Sequence, residues 1–439
     1  MIRTIKLAVV AALALGATSA FATNGSNLIG IGAKARGMGG TGIGIGHGAE
    51  SGIANPALIT TIKGNNEISF GGTLFMPDIE TNGVDATGGM TGPLGSQKKK
   101  TSDSDTFVIP AVSLVSKFND NFYWGIGMWG TGGLGVDYRD TAVFNGSSSF
   151  GNQMNMVTAL QTMQFGVPLA YTTNGFTIGV TPIIQYSSLD VQYSFAGQSP
   201  TGPVPFSAGA GTAQDLAYGF NLGLAYEISG FTIGAVYKSE INFDIDDVLT
   251  RTISPMAVTP TSQLLASSMD EMATPEEYGI GLSYNIKGHT IAVDWKYINW
   301  EDAEVYKEFG WEDQDIFAIG YEYDAGTWAI RCGYQYAESA VQDNTGKGLV
   351  LDQGYAQNPA SMGGATSLTN TFNLLGFPGT QEEHITIGGS YTFNETLSMD
   401  LAAVFGLKNN ESFQNFVPMQ QTTTSHSEES YSIQLNYAF

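Results

Sequence analysis

Strict alternation of apolar and polar residues constrains this chain more than any other feature. In 431–439, YSIQLNYAF, every second residue is Tyr, Ile, Leu, Tyr or Phe, and Ser, Gln, Asn and Ala stand between them. Residues 216–227 repeat the pattern, with Leu216, Tyr218, Phe220, Leu222, Leu224 and Tyr226 opposite Ala217, Gly219, Asn221, Gly223, Ala225 and Glu227. The stretches 278–286 and 397–407 do the same. A period of two means β-strands with unlike faces. A greasy face opposed to a small or polar one, in strand after strand, suits lipid outside and an accessible lumen inside. Composition agrees: only 13% of residues are charged, where a soluble domain carries about 25%.

Turn residues set the topology. Tight turns are expected at Asn119-Asp120-Asn121, Asn174-Gly175, Ser229-Gly230, Lys287-Gly288, Ala325-Gly326 and Asn394-Glu395. Between them lie long polar connections, at about 78–104, 136–157, 196–213, 244–275, 301–312, 341–381 and 409–428. Six short and seven long connections in alternation define 14 strands. The chain thus reads as all-β, a 14-stranded antiparallel transmembrane barrel, with short turns on the periplasmic side and long loops outside.

Residues 1–22 carry Arg3 and Lys6, an apolar run from Leu7 to Ala17, and small residues up to Ala20-Phe21-Ala22. That is the pattern of a removable export signal, too short in its apolar core to span a bilayer as a helix. The formal net charge of −23 opposes binding to nucleic acid. Cys332 is the single cysteine, so no intrachain disulfide forms and the thiol is expected to pack rather than react.

Behind the signal comes a glycine-rich run, 25–60, too polar and too short of side chains to build a core alone. It is expected to fill the barrel as a plug over 23–62, leaving 63–439 as the barrel. Gly37, Gly39 and Gly42 also satisfy G-x-G-x-x-G, but no apolar strand precedes them, so the dinucleotide reading fails.

The run, with Gly37-Met38-Gly39-Gly40 and Asn55-Pro56-Ala57-Leu58, resembles the N-terminal hatch of the FadL/TodX family. Weaker similarity continues through Phe372-Asn373-Leu374-Leu375-Gly376-Phe377-Pro378 and 384–389. The resemblance implies a 14-stranded outer-membrane channel for long-chain fatty acids and other hydrophobic molecules, with Gly37, Gly39, Gly40, Asn55, Pro56 and Ala57 in the hatch. It also implies that a kink in the third strand opens a lateral exit through the barrel wall. The third strand does carry Gly130, Gly132, Gly133 and Gly135 within six positions, which favours a bulge or kink, or else makes room for the plug. The closing Phe439 resembles the signal read by the barrel-assembly machinery, and it equally suits an interfacial aromatic.

Basic residues are scarce, so inward ones are informative. Counting from outward apolar neighbours places Lys238, Lys296 and Arg331 in the lumen, on alternate strands of one wall, near Glu240 and Asp294. They are candidates to meet a cargo carboxylate, or else ordinary lumen ion pairs. Met154, Val157, Leu160 and Met163 have helical spacing in an outer loop, as do Leu264, Leu265, Met269 and Met272. Such Met-rich faces suit varied greasy ligands or loop packing. His47, His289, His384 and His426 are scattered with no catalytic or metal-binding motif, so neither catalysis, metal nor cofactor is expected. The acidic stretches Asp244-Ile245-Asp246-Asp247 and Glu301-Asp302 are solvated loops, or bind Ca²⁺ or bridge lipopolysaccharide.

The sequence is therefore read as a monomeric channel in the outer membrane of a Gram-negative bacterium, in contact with outer-membrane lipids and lipopolysaccharide. It takes up hydrophobic molecules passively. The rival readings are a barrel enzyme acting on lipids and a general porin.

Overall fold

The computed structural model describes residues 24–86, 97–139, 144–146, 155–199, 202–209, 211–253, 269–347, 349, 352, 367–415, 417 and 419–439. The export signal, Met154, Leu264 and Leu265 lie outside the described residues. The barrel strands are β1 (Asn66–Thr81), β2 (Phe107–Lys117), β3 (Phe122–Asp137), β4 (in two segments, Asn155–Gly166 and Leu169–Thr173), β5 (Phe176–Ser199), β6 (Ala213–Ile228) and β7 (Phe231–Lys238). They continue as β8 (Glu277–Ile286), β9 (His289–Ile298), β10 (Gln314–Asp324), β11 (Trp328–Ala337), β12 (Glu383–Thr392), β13 (Leu397–Gln414) and β14 (Gln421–Ala438).

Each strand pairs antiparallel with the next, and β1 closes the ring against β14 from Glu67↔Ala438 to Thr81↔Thr424. The result is a closed 14-stranded barrel. Three of the short turns show why their sequences were legible. Asn174, Ser229 and Lys287 adopt φ of 50, 52 and 50°, each followed by a glycine at 82 to 85°. Two successive left-handed residues make the tight turn that matches strand twist.

Side chains fall as the alternation requires. Phe70, Leu216, Tyr218, Ile280, Ile330 and Ile433 stand exposed on the outer surface, where hydrocarbon covers them. Ser69, Thr386, Asp400, Gln434 and Asn436 are buried in the lumen. They are buried because residues 24–62 fill it.

Three sequence expectations are corrected. Val157, Leu160 and Met163 do not lie on a helix but in β4, where buried Met156, Thr158, Leu160 and Thr162 alternate with half-buried Val157, Ala159, Gln161 and Met163. Spacings of three look helical in a short window, but the ladder to β3 and β5 decides the period. Met272 likewise belongs to a small antiparallel pair, Ile241–Asp244 with Glu271–Thr274, and Met269 lies just before it, outside any helix. The last long connection is also shorter than 409–428, because β13 and β14 stay paired out to Gln414↔Gln421. Above the membrane both strand faces are polar, so hydropathy carries no signal there while the backbone ladder continues.

Candidate functional site

The plug is built from helical turns too short to stand alone: α1 (Ala33–Gly37), α2 (Ser51–Ala54), and 3₁₀ turns at Gly48–Glu50 and Pro56–Thr61. The barrel wall supplies what these turns lack. Asp294 of β9 takes the amides of Gly42, Ile43 and Gly44 at 2.7, 2.9 and 3.3 Å. Thr386 of β12 accepts from Gly39 N–H at 2.9 Å, and Gln434 of β14 from Ala33 N–H at 2.8 Å. Asn55 caps the following turn through Ala57 N–H and donates to Ile43 O and Leu224 O. Pro56 stands in the first position of that turn, where no amide is needed.

Two glycines show what the run is for. Gly39 and Gly40 have φ of 69 and 81°, and a Cβ on Gly40 would lie 1.9 Å from Ile29 O. Elsewhere the requirement is close approach: Gly37 lies against Gly388 of β12 and Gly44 against Gly281 of β8, backbone to backbone. Bare chain on the plug meets bare chain on the wall, which lets lumen side chains reach the plug amides.

Beside the plug a cavity of about 90 Å³ is lined by Ile29, Ile31, Ile43, Ile53, Lys238 and Lys296. Lys238 pairs with Glu277 at 3.0 Å. Lys296 is buried and has no ion-pair partner within 4 Å among the described residues. Arg331 is elsewhere. It donates to Glu322 at 2.6 Å and Asp400 at 3.2 Å, with Lys34 of the plug on the same Asp400 at 3.8 Å. That network lines a separate polar cavity near the short turn around Gly326. So the lumen brings two of the three expected cations together and sends the third to hold the plug.

The third strand is broken as well as glycine-rich. Its ladder to β2 ends at Ala111↔Trp129, and among the described residues the backbone contact resumes only at Asp103 N–H to Asp137 O, 2.8 Å. Between these points Pro110 of β2 has no N–H to give. The ladder to β4 shifts register between Gly130 and Gly132. The plug seals the break from inside. Gly133 N–H donates to Ser26 O at 2.9 Å, Leu28 N–H to Thr131 O at 3.3 Å, and Asn27 bridges Gly132. Leu28 packs there against Phe75, Phe107 and Ile109. A side chain at Gly130 would strike Ile109, and one at Gly135 the carbonyl of Thr158. Bulge and room for the plug are thus both present.

Above the plug sits an aromatic cluster from the connection after β9. Trp300, Tyr306 and Trp311 form a triangle with ring centroids 4.6 to 5.1 Å apart. Gly25 fits against Trp300 and Trp311, and Tyr306 OH donates to Ser26 Oγ at 3.0 Å. A helix, α3 (Val248–Ile253), and a longer one, α4 (Leu368–Gly376), pack beside them, the latter capped by Ser367. The aromatic triangle was missed because 301–312 reads as a polar connection. The available signal is its four large residues Val305, Tyr306, Phe309 and Trp311, with Trp300 just before them, all buried.

His384 and His426, 42 residues apart in the sequence, both face Glu428, at 3.1 and 3.8 Å. Gly406 on the strand between them pairs with both His384 and Glu428, and a side chain there would strike Glu428. His47 donates to Thr41 O at 2.7 Å, and His289 meets Tyr321 OH at 2.8 Å. Asp244 accepts the amide of Asp246, and Asn299 donates to Asp302. Among the described residues no group of three His, Cys, Asp or Glu is arranged to hold a metal ion.

The fold and the plug match known proteins. The Pseudomonas putida toluene transporter TodX is 19% identical, with 95% of this chain and 100% of that one covered and a TM-score of 0.65. A Pseudomonas aeruginosa FadL homologue is 14% identical over 94% of this chain and 100% of its own, with a TM-score of 0.64. The Ralstonia pickettii toluene transporter TbuX is 17% identical over 94% and 99%, with a TM-score of 0.60. At these identities the likeness is one of fold. An uncharacterized Chlorobium limicola protein, from the 5′ region of a phosphoenolpyruvate carboxykinase gene, is 48% identical over 88 residues, or 19% of this chain. The chain spans 43% of the length of that curated relative. The family described as outer membrane protein transport protein (OMPP1/FadL/TodX) matches residues 7–354. With its plugged outer-membrane barrel, the chain belongs to the outer membrane protein transport protein (OMPP1/FadL/TodX) family.

Proposed function

We propose that this barrel takes up hydrophobic molecules, long-chain fatty acids or hydrocarbons, and releases them sideways through the break between β2 and β3. One observation carries the reading: along the β2-facing edge of Gly130–Val136, Ser26–Leu28 of the plug meet Thr131, Gly132 and Gly133, and among the described residues no strand pairs with that edge. A segment held there by a few hydrogen bonds can leave without unzipping the barrel. Cargo leaving through that break stays out of water, which is worth about 0.8 kcal/mol per CH₂.

The route begins under the loops, at the triangle Trp300, Tyr306 and Trp311, and continues past the cavity lined by Ile29, Ile31 and Lys296. At about 90 Å³ that cavity is smaller than the roughly 150 Å³ that holds benzene in an engineered core, so cargo must displace the plug. Lys296 suits a carboxylate head, and Lys238 becomes available when it exchanges Glu277 for cargo. Met156 and Leu160, inward on β4, join the wall above; Val157 and Met163 face outward and leave the cargo path. Uncharged aromatic hydrocarbons are the alternative cargo, as the like-folded TodX and TbuX are toluene transporters.

The protein acts by binding and diffusion and not by catalysis. It works as a monomer in a Gram-negative outer membrane, inserted by the barrel-assembly machinery after the signal 1–22 is removed. The plug takes 23–62 and the barrel 63–439. Mass spectrometry of compounds extracted from the purified protein, combined with liposome swelling in sugars, tests this. We expect enriched hydrophobic compounds and no swelling. Rapid swelling with no enriched compound would make it a general porin.

A further inference from the structure

The outer rim above β1, β13 and β14 carries positive charge on a protein whose net charge is −23. Lys98-Lys99-Lys100 is the densest basic run of the chain, and Gln97 pins its start by donating to Gly83 O at 2.7 Å and Gln421 O at 2.8 Å. Lys99 reaches Glu80 on the outer face of β1. Lys408 reaches the other oxygen of the same carboxylate at 3.1 Å from β13. It can do so because a register shift between Gly406 and Asn409 swings Leu407 and Lys408 out of the ladder.

Two ammonium groups on one carboxylate leave a net positive charge, and Lys98 beside them is exposed. The side chains of Lys99 and Lys408 are 67% and 49% exposed, so their ion pairs with Glu80 are wet. Such pairs contribute little and exchange readily for a better anion. The height is also defined. Leu407, next to Lys408, and Tyr431 and Leu74 below it are exposed apolar residues of the lipid-facing band. Asp78 and Glu429 face outward lower on the same wall, so the positive charge is confined to the rim.

We propose that Lys98, Lys99 and Lys408 form a docking site for the phosphate groups of lipopolysaccharide in the outer leaflet. The site rests on the outer-membrane placement of the barrel and is independent of the cargo route. Glu80 holds Lys99 and Lys408 in register until a phosphate takes them. A phosphate offers several oxygens to the three ammonium groups, and charge-assisted hydrogen bonds to it are the strong kind. The rest of this acidic surface repels such a ligand, which confines it to the β1–β13–β14 side.

The test compares the parent protein with the Lys98→Gln/Lys99→Gln/Lys408→Gln variant in mild detergent. The probes are purified rough-type lipopolysaccharide and the same material stripped of phosphate. Heat-modifiable migration confirms that both barrels are folded. Each lysine should contribute about fivefold, so the variant should bind intact lipopolysaccharide roughly a hundredfold more weakly. Added salt should weaken the parent and barely affect the variant. Equal binding by parent and variant overturns the site. So does equal binding of intact and stripped material by the parent, which would mean that sugars or acyl chains are recognised elsewhere.

Discussion

Gly132 and Ser26 meet without room for a side chain between them: a Cβ on Gly132 would lie 2.4 Å from the Ser26 carbonyl oxygen. That contact joins the plug to the broken strand, and it makes the gate accessible to a point substitution. Gly132→Val should push Ser26–Leu28 off the break while the β3–β4 ladder persists. We expect labelled cargo to cross several-fold faster at low concentration, since the step that clears the gap is already taken. Unchanged or slower transfer through a folded barrel removes this segment from gating.

Asp294 anchors the plug from the opposite wall through three amides. Asp294→Asn removes the charge and places an amide donor against N–H groups. One lost charged hydrogen bond is worth about 1.5–3 kcal/mol, or roughly tenfold or more in plug opening. Planar-bilayer recordings should show raised ion leak, and amide exchange at Gly42–Gly44 should quicken. A quiet channel with protected amides would show that Asp294 is dispensable.

Lys296 and Arg331 should separate cleanly. Lys296→Ala is expected to weaken fatty-acid binding by about tenfold and to leave an uncharged hydrocarbon unaffected. Arg331→Ala leaves Glu322 and Asp400 without their shared partner. It should destabilise by about 3–5 kcal/mol, read as a lower Tm, with little selectivity between the two cargoes. Isothermal titration and thermal melts on the same preparations decide.

The plug carries its own pH dependence. Burial pushes the Glu50 carboxyl up to about 8. A raised folded value means the docked plug holds its proton more tightly than the released one, so docking is firmest below about 4.5 and weakens as pH rises through about 8. Ion leak should therefore grow between those values, and Glu50→Gln should flatten the profile. A leak that grows with falling pH has the wrong sign for this group.

The sequence by itself determined the barrel. Alternation assigns Ile280 to lipid and Asp294 to the lumen from neighbours one residue away, because a strand has only two faces. Asn174-Gly175, Ser229-Gly230 and Lys287-Gly288 each name a tight turn, because few residues accept left-handed φ. The glycine run announced a plug, because it cannot bury a core alone. The tertiary structure decided whatever depends on height around the ring or on a missing partner. Lys238, Lys296 and Arg331 share a face by period, yet only the first two share a cavity, since strand tilt and register set depth and no local pattern reports them. The break at β3 needed Pro110 on a neighbouring strand to be seen beside Gly130, two segments that meet only through the ladder. His384, His426 and Glu428 meet across Gly406 for the same reason. Local periodicity reports which way a side chain points, and only closure of the ring reports what it points at.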